Sequence, residues 1–237
     1  ADVIPARTLF AGTALAGAVF NSGLGFAHGL TPALLSRFLA GACLAGVYPP
    51  AMKMTSTWFR ERRGLAVGTI VGALTVGKAG PYLIGAFPGV TVSSLVTISS
   101  CSAALAGVVV WFGYYDGPYA FPSRPFTWTL VRSVMHEPRW RQATGGYLGH
   151  MAELYAYWTW IPAFVAASIA ISPHAVAPTA TRASSLIGFA IIAVGGIGCV
   201  WGGIVADRIG RARLVMIAMA VSGAACALVG LLFGRSL

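Results

Sequence analysis

GGIVADRIGRARL, residues Gly202–Leu214, separates two long apolar runs of the chain. Asp, Glu, Lys and Arg make up only 9% of all residues, yet this short stretch is densely charged. Its charged residues are Asp207, Arg208, Arg211 and Arg213. A related stretch, ADVIPAR, opens the chain at Ala1–Arg7, where an acid is again followed by Arg and then by an apolar run. The pair indicates a charged turn that occurs twice.

The composition of the chain excludes a typical water-soluble protein. Of its 237 residues, 57% are hydrophobic and 9% are charged, whereas about 25% of residues are charged in a soluble domain. Because so few polar residues cannot cover a water-facing surface, the chain is predicted to be an integral membrane protein. The net charge of +10 does not indicate nucleic-acid binding, since Lys and Arg fall in short loops between apolar runs.

Apolar runs of about 20 residues, enough for an α-helix to cross ~30 Å of hydrocarbon, recur along the chain. They are Thr8–Phe26, Pro32–Trp58, Gly64–Phe87, Val92–Tyr114, Ala143–Ile171, Ala183–Ala206 and Leu214–Phe233. The predicted fold class is therefore an all-α membrane protein with seven transmembrane helices. One longer connection, Tyr115–Arg141, contains several prolines and charges of both signs, which predicts a linker between two groups of helices.

Positive charge is distributed unevenly between alternate loops, and this bias sets the predicted orientation. One set of loops carries Arg7, Arg60, Arg62, Arg63, Arg124, Arg132, Arg139, Arg141, Arg208, Arg211 and Arg213. The opposite loops and the C-terminal tail carry only Arg182 and Arg235. Because positively charged loops remain in the cytoplasm, the charged turns are predicted to be cytoplasmic and the first span to run outward. We expect a multi-pass protein of the cell membrane, specifically a bacterial inner membrane.

The two charged turns also indicate an internal repeat, because Ala1–Pro5 aligns with Ala206–Gly210 and six predicted spans separate the copies. Parallel repeats of six helices build one large class of transporters. GGIVADRIGRAR resembles the signature loop of the major facilitator superfamily, G-x-x-x-D-R-x-G-R-x-R, which in that family joins helices 2 and 3 and again helices 8 and 9. The resemblance implies about helices 3 to 9 of twelve in a partial two-bundle fold, with further helices before Ala1 and after Leu237.

Two further stretches are similar to motifs of the same family. Arg37–Gly41 resembles the helix 4 motif R-x-x-Q-G, with Ala40 in place of Gln, and Gly77–Gly85 resembles the Gly-Pro motif of helix 5 with a different spacing. The resemblance implies that residues 1–115 end the N-terminal bundle (helices 3–6), residues 116–141 form the cytoplasmic linker, and residues 142–237 start the C-terminal bundle (helices 7–9).

In this family the charged turn latches one bundle to the other on the cytoplasmic side. We expect Asp207 to lie at the start of the helix that opens at Gly64, where unpaired N–H groups carry partial positive charge. Asp2 would have its partner beyond Leu237. The latch residues implied by the resemblance are Asp2, Arg60, Arg62, Arg63, Asp207, Arg208, Arg211 and Arg213. The alternative is that these Arg residues only enforce orientation.

Charged residues within the predicted spans are candidate functional residues, because each costs roughly 3 kcal/mol at the centre of a membrane helix. Lys53 is near the cytoplasmic end of its helix and can reach the membrane surface. Arg37 and Lys78 suggest an anionic solute, unless a protein carboxylate neutralises them. Arg37 could also reach the outer surface, and Lys78 could satisfy a carbonyl group freed by Pro81.

Glu153 is the only acidic residue in the predicted spans and lies ~15 Å from the start of its span at Ala143. His150, Glu153, Tyr157 and Trp160 follow one another at spacings of three and four residues and so share one helical face. A carboxyl group at this depth can carry a proton. The alternative is an aromatic packing stripe with a paired Glu. The resemblance makes this helix the seventh of the family, which faces the translocation cavity.

These observations predict a secondary active transporter that moves a small solute by alternating access, with proton coupling through Glu153. The expected partners are a small-molecule substrate of anionic character, protons and the lipid bilayer, without nucleic acid. Cys43, Cys101, Cys199 and Cys226 lie in apolar runs without ligand spacing, so neither a metal nor another cofactor is expected.

Two other classes of membrane protein have seven helices or polar residues in the membrane. A retinal-type protein or receptor fits the span count, but Leu214–Phe233 contains no Lys for a Schiff base. A membrane-embedded enzyme would need paired catalytic groups, and the sequence contains no HExxH, no GxSxG and no Asp pair.

Overall fold

The computed structural model describes residues 4–119, 127–171 and 177–234, with the backbone alone at residues 177–181. The described residues form helices and no strand. The helices are α1 (Ala6–Ser22), α2 (Leu30–Leu44), α3 (Tyr48–Trp58), α4 (Arg63–Gly85), α5 (Val92–Gly113), α6 (Trp128–His136), α7 (Pro138–Ala170), α8 (Ala177–Ile209) and α9 (Arg211–Val229). Asp2, Arg124 and Arg235 lie outside the described residues.

Six helical stretches of the described chain are long and apolar enough to cross a membrane. They are Ala6–Phe26, Leu30–Trp58, Arg63–Gly85, Val92–Gly113, Arg182–Ile209 and Arg211–Leu232. Helix α7 covers the remaining predicted span, Ala143–Ile171, except for its last residue, and is not among the six. Polar side chains such as Gln142, Thr144, His150 and Glu153 lower its hydropathy. The predicted class, an all-α membrane protein, is confirmed.

The predicted span Pro32–Trp58 differs from expectation because it consists of two helices, α2 and α3, separated at residues 45–47. Pro49 and Pro50 stand in the first turn of α3 and have no N–H groups to continue the hydrogen-bond ladder of α2. Just before them, Gly46 lies so close to Thr13 of α1 that a Cβ atom at Gly46 would overlap the Thr13 side chain. The two prolines therefore interrupt the helix, and Gly46 leaves room for α1 next to the interruption.

The described chain divides into two compact units, and α4 contributes to both. The first unit contains the described residues up to 70 together with residues 88–119, and the second contains residues 71–87 and the described residues from 127 onward. In the first unit, α1 packs against α2, α3 and α5. In the second, α7 packs against α6 and α8, and α8 packs against α9. The predicted bundle boundaries, residues 1–115, 116–141 and 142–237, stay a prediction.

Small residues set the packing of the first unit. The buried residues of α1 are alanines at helical spacing: Ala6, Ala11, Ala14 and Ala18. On α5, a Cβ atom at Gly107 would lie 3.3 Å from the carbonyl oxygen of Ala11. Side chains this small let helix backbones approach closely, as is common between membrane helices.

The core of the second unit joins the C-terminal half of α4 to α7 and α8. Its buried residues are Ala79, Trp158, Ile161, Val165 and Ile192. A Cβ atom at Gly72 of α4 would lie 2.7 Å from the carbonyl oxygen of Gly196 of α8, so α4 and α8 approach each other closely at glycines. The Tyr82 hydroxyl donates to the carbonyl oxygen of Trp158 at 3.2 Å. This packing fixes the positions of the charged residues that α4 and α7 carry.

Candidate functional site

Glu153 lies near the middle of α7, half-buried against α9. Its Oε1 accepts a hydrogen bond of 2.7 Å from the Ser222 hydroxyl, and the Cys226 thiol lies 3.6 Å from the same oxygen. Ser222 and Cys226 are one turn apart on α9, so both face α7. No Lys, Arg or His among the described residues forms a hydrogen bond with Glu153. The carboxyl group therefore has neutral partners only.

The face of α7 predicted from the sequence, with His150, Glu153, Tyr157 and Trp160, is only partly buried. His150 and Tyr157 are half-buried one turn to either side of Glu153. Trp160 is 70% exposed and stands away from the buried surface. The buried aromatic residue of α7 is instead Trp158, which packs in the core of the second unit. The roles of the residues on this face stay a prediction.

Lys78 lies on α4, with its ammonium nitrogen 5.6 Å from the ring centroid of Tyr155 on α7. This distance is typical of a cation–π contact. Tyr155 packs edge-on against Trp158, with ring centroids 5.6 Å apart. The structure thus places Lys78 over an aromatic face and not on a carbonyl group freed by Pro81. Tyr155 was missed from the sequence because a single Tyr among several on α7 has no distinguishing signal.

Arg37 of α2 is held by an amide group. Its Nη1 donates to Asn21 Oδ1 of α1 at 2.8 Å. Asn21 Nδ2 donates to the hydroxyl groups of Ser99 and Ser100 on α5, at 3.0 and 2.9 Å. These bonds orient the amide, so that its oxygen faces the guanidinium. Asn21 and the two serines were missed from the sequence, although polar residues in an apolar run were the available signal.

The charged turn of residues 202–214 is tight. Helix α8 ends at Ile209 and α9 begins at Arg211. Gly210 connects them with a φ of 87°, a conformation that glycine adopts without strain. Asp207 lies in the last turn of α8, and Arg213 in the first turn of α9. The predicted latch between Asp207 and the helix that opens near Gly64 stays a prediction.

A second polar cluster, missed from the sequence, lies where α3 and α5 end. The amide of Gly117 donates to Thr57 Oγ1 at 3.1 Å, and the amide of Tyr119 donates to the Thr57 carbonyl at 3.0 Å. The Tyr114 hydroxyl donates to Asp116 Oδ1 at 2.9 Å. Burial raises the pKa of Tyr114, and Asp116 adds to the rise while the hydrogen bond to Thr57 opposes it. These bonds dock the start of the predicted linker onto α3.

The described residues contain no group of three or more His, Cys, Asp or Glu side chains that could hold a metal ion. Three of the charged side chains on the described helices have separate partners. They are Glu153 with Ser222 and Cys226, Lys78 with Tyr155, and Arg37 with Asn21.

A model of the family described as Major Facilitator Superfamily matches the chain over residues 1–237. The chain belongs to the major facilitator superfamily. The match confirms the resemblance drawn from GGIVADRIGRARL and identifies a multi-pass membrane transporter of the major facilitator type. Members of this superfamily are transporters rather than enzymes. No curated protein and no solved structure matches the chain.

Proposed function

We propose that this major facilitator protein moves a small anionic solute across the membrane by alternating access, with protons coupled through Glu153. The observation that carries the proposal is the neutral pairing of two intramembrane cations. Arg37 pairs with an amide and Lys78 with an aromatic ring, and neither pairs with a carboxylate among the described residues. We place the protein in a bacterial inner membrane.

The neutral pairing matters because of its electrostatic consequence. A cation at membrane depth costs roughly 3 kcal/mol, and a carboxylate partner would remove the net charge. The amide of Asn21 and the ring of Tyr155 orient Arg37 and Lys78 but carry no negative charge that would neutralise them. The planar guanidinium of Arg37 uses Nη1 for Asn21, so further N–H donors remain for a carboxylate or phosphate group of a solute. An anion would therefore stabilise the charged side chains.

The surroundings of Glu153 support proton coupling. Ser222 and Cys226 are neutral donors, and a hydroxyl group can donate to a carboxylate or accept from a carboxylic acid. Glu153 can thus gain or lose a proton without leaving a protein cation unpaired, which a salt-bridged carboxylate cannot do. His150 and Tyr157, one turn away on α7, are the expected neighbours in a proton path.

We also propose that the charged turn acts as a conformational latch. The turn at Gly210 separates Asp207, in the last turn of α8, from Arg213, in the first turn of α9. An acid contributes little to the positive-inside bias, so orientation alone does not account for Asp207. The proposed latch residues are Arg60, Arg62, Arg63, Asp207, Arg208, Arg211 and Arg213, with Asp2 as the equivalent of Asp207 in the other copy.

Solute-induced thermal stabilisation of the purified protein tests the anionic substrate. A panel of small carboxylates, inorganic phosphate and nitrate is compared with neutral amides and alcohols of matched size. We expect one or more anions to raise the melting temperature of the wild type, and Arg37→Gln or Lys78→Gln to remove that rise. Stabilisation by neutral or cationic solutes alone would contradict the proposal. Lys53→Gln is the control, because it removes a positive charge from α3 but keeps Arg37 and Lys78.

A further inference from the structure

Helix α6 is short, polar on one side and apolar on the other, and it lies outside the six apolar spans. At 100° per residue, its apolar side chains occupy one arc of roughly 160°. These residues are Trp128, Leu130, Val131, Val134 and Met135. The polar arc consists of Thr129, Arg132, Ser133 and His136. The two arcs do not overlap, which is the pattern of a helix at an interface between water and a nonpolar phase.

Most of the apolar arc of α6 is exposed, although Val131 is half-buried. Leu130 is 49% exposed, Val134 is 38% exposed and Met135 is 55% exposed. The six apolar spans also expose apolar residues, since few of their residues are buried within the described chain. In α6 the exposed apolar residues face one direction only. A nonpolar phase on one side of the helix therefore accounts for the pattern.

The charges near α6 favour an anionic partner. Arg132 lies on the polar arc, and Arg139 and Arg141 follow in the first turn of α7. Glu137 is the acid in this segment. Each Arg close to an anionic lipid surface contributes an attraction equivalent to roughly a fivefold change in an equilibrium. A neutral protein groove would gain nothing from this excess of positive charge.

The position of α6 along the chain matches the depth of lipid headgroups. It ends at His136, and the apolar part of α7 begins near Ala143. The intervening residues are helical from Pro138, so α6 is about 10 Å from the start of the predicted span along the axis of α7. Trp140 lies within this interval, and Trp is enriched at membrane–water interfaces. The cytoplasmic leaflet is therefore within reach of the apolar arc.

We infer that α6 binds the cytoplasmic leaflet of the membrane as an interfacial helix. Leu130, Val134 and Met135 insert at the boundary between headgroups and acyl chains, while Arg132, Arg139 and Arg141 contact anionic lipid headgroups. The inference concerns the membrane partner and is independent of the substrate and of proton coupling. It also gives the predicted linker a fixed attachment to the membrane at one end.

Spin labels at single cysteines test the inference in the whole chain, reconstituted in vesicles. Cys43, Cys101, Cys199 and Cys226 are first replaced by Ser or Ala, and labels are then placed at Leu130 and, as a matched control on the polar arc, at Ser133. We expect oxygen, which partitions into lipid, to relax the label at Leu130 more than a water-soluble nickel complex does. The order should reverse at Ser133. Equal accessibility of the two positions, or exclusion of both reagents from Leu130, would overturn the inference.

Lipid composition tests the anionic headgroups separately. In vesicles of phosphatidylcholine with 30% phosphatidylglycerol, the label at Leu130 should lie deeper than in phosphatidylcholine alone. Replacement of Arg132, Arg139 and Arg141 together by Gln should shift the ratio of inserted to free helix by roughly 100-fold and remove the lipid dependence. A depth that is the same in both lipids for the unmodified helix would contradict binding of anionic headgroups. Far-ultraviolet circular dichroism checks that each variant remains helical.

Discussion

The hydrogen bond between Asn21 and Arg37 gives the sharpest test of the proposed anion site. Asn21 Oδ1 accepts from Arg37 Nη1 at 2.8 Å, while Nδ2 is held by Ser99 and Ser100. A hydrogen bond to a charged group contributes about 1.5–3 kcal/mol. Asn21→Ala removes the acceptor and releases the guanidinium from its position. If that position is needed for binding, affinity for the anion should fall by about 10- to 150-fold.

Asn21→Asp separates binding from folding. The new carboxylate would accept the same hydrogen bond from Arg37 and neutralise its charge, so the helix packing should survive. An anion, however, would then meet a neutral pair, and its binding should be lost. If Asn21 had a purely structural role, Asn21→Asp would leave anion binding unchanged, and Asn21→Ala would lower the stability of the fold.

Isothermal titration of the purified protein with the anion found in the stabilisation panel measures both variants. The matched control is Ser99→Ala, which leaves Oδ1 of Asn21 on Arg37 and should change affinity less than fivefold. Thermal unfolding reports the folding contribution of each change independently. Unchanged anion affinity in Asn21→Asp would refute the reasoning, because a neutralised Arg37 would then bind as well as a charged one.

Three further predictions follow from the described residues. Glu153→Gln should abolish proton-dependent uptake in reconstituted vesicles but preserve solute exchange. The control Ser222→Ala keeps the carboxyl group and should shift only the pH profile of uptake. Normal pH dependence of uptake in Glu153→Gln would show that Glu153 is structural. An impermeant maleimide should label His28→Cys in intact cells and label Glu61→Cys only after permeabilisation, and the reverse result would invert the topology. Asp207→Asn should shift the ratio of closed to open cytoplasmic states by about 2- to 30-fold, since a charge at a helix start contributes ~0.3–2 kcal/mol; distances between spin labels near Asp207 and Gly64 would measure it, and an unaltered distribution would reject the latch.

Helical character could be predicted from local sequence because it depends on local composition. Long apolar runs identified the membrane helices, and the charged turn GGIVADRIGRARL marked the boundary between two of them, where α8 ends at Ile209 and α9 begins at Arg211. The break between α2 and α3 was also encoded locally, by Gly46 with Pro49 and Pro50, but it was masked by the high hydropathy of the surrounding run. Hydropathy is averaged over a window of residues, so it does not detect a short break between two helices in one apolar run.

The partners of charged residues could not be predicted in the same way. Glu153 stood out as an acid in an apolar helix, but Ser222 and Cys226 are 69 and 73 residues away in sequence. Asn21 is 16 residues from Arg37 and 79 from Ser100. Helical periodicity tells which residues of one helix share a face, whereas the rotation of one helix against another depends on packing of the whole unit. Candidate residues could therefore be predicted from the sequence, but their contacts could be identified only from the three-dimensional structure.

The interruption between α2 and α3 has a mechanical consequence for the first unit. Arg37 stands on α2, whereas Thr57, which binds the start of the linker, stands on α3. An unbroken helix would act as one rigid rod, and any tilt at Arg37 would be carried to Thr57. Pro49 and Pro50 cannot donate backbone hydrogen bonds across the break, so we expect any bending between α2 and α3 to occur at residues 45–47. In the proposed mechanism, α2 would then tilt with a solute bound at Arg37 while α3 keeps its hydrogen bonds to residues 117 and 119.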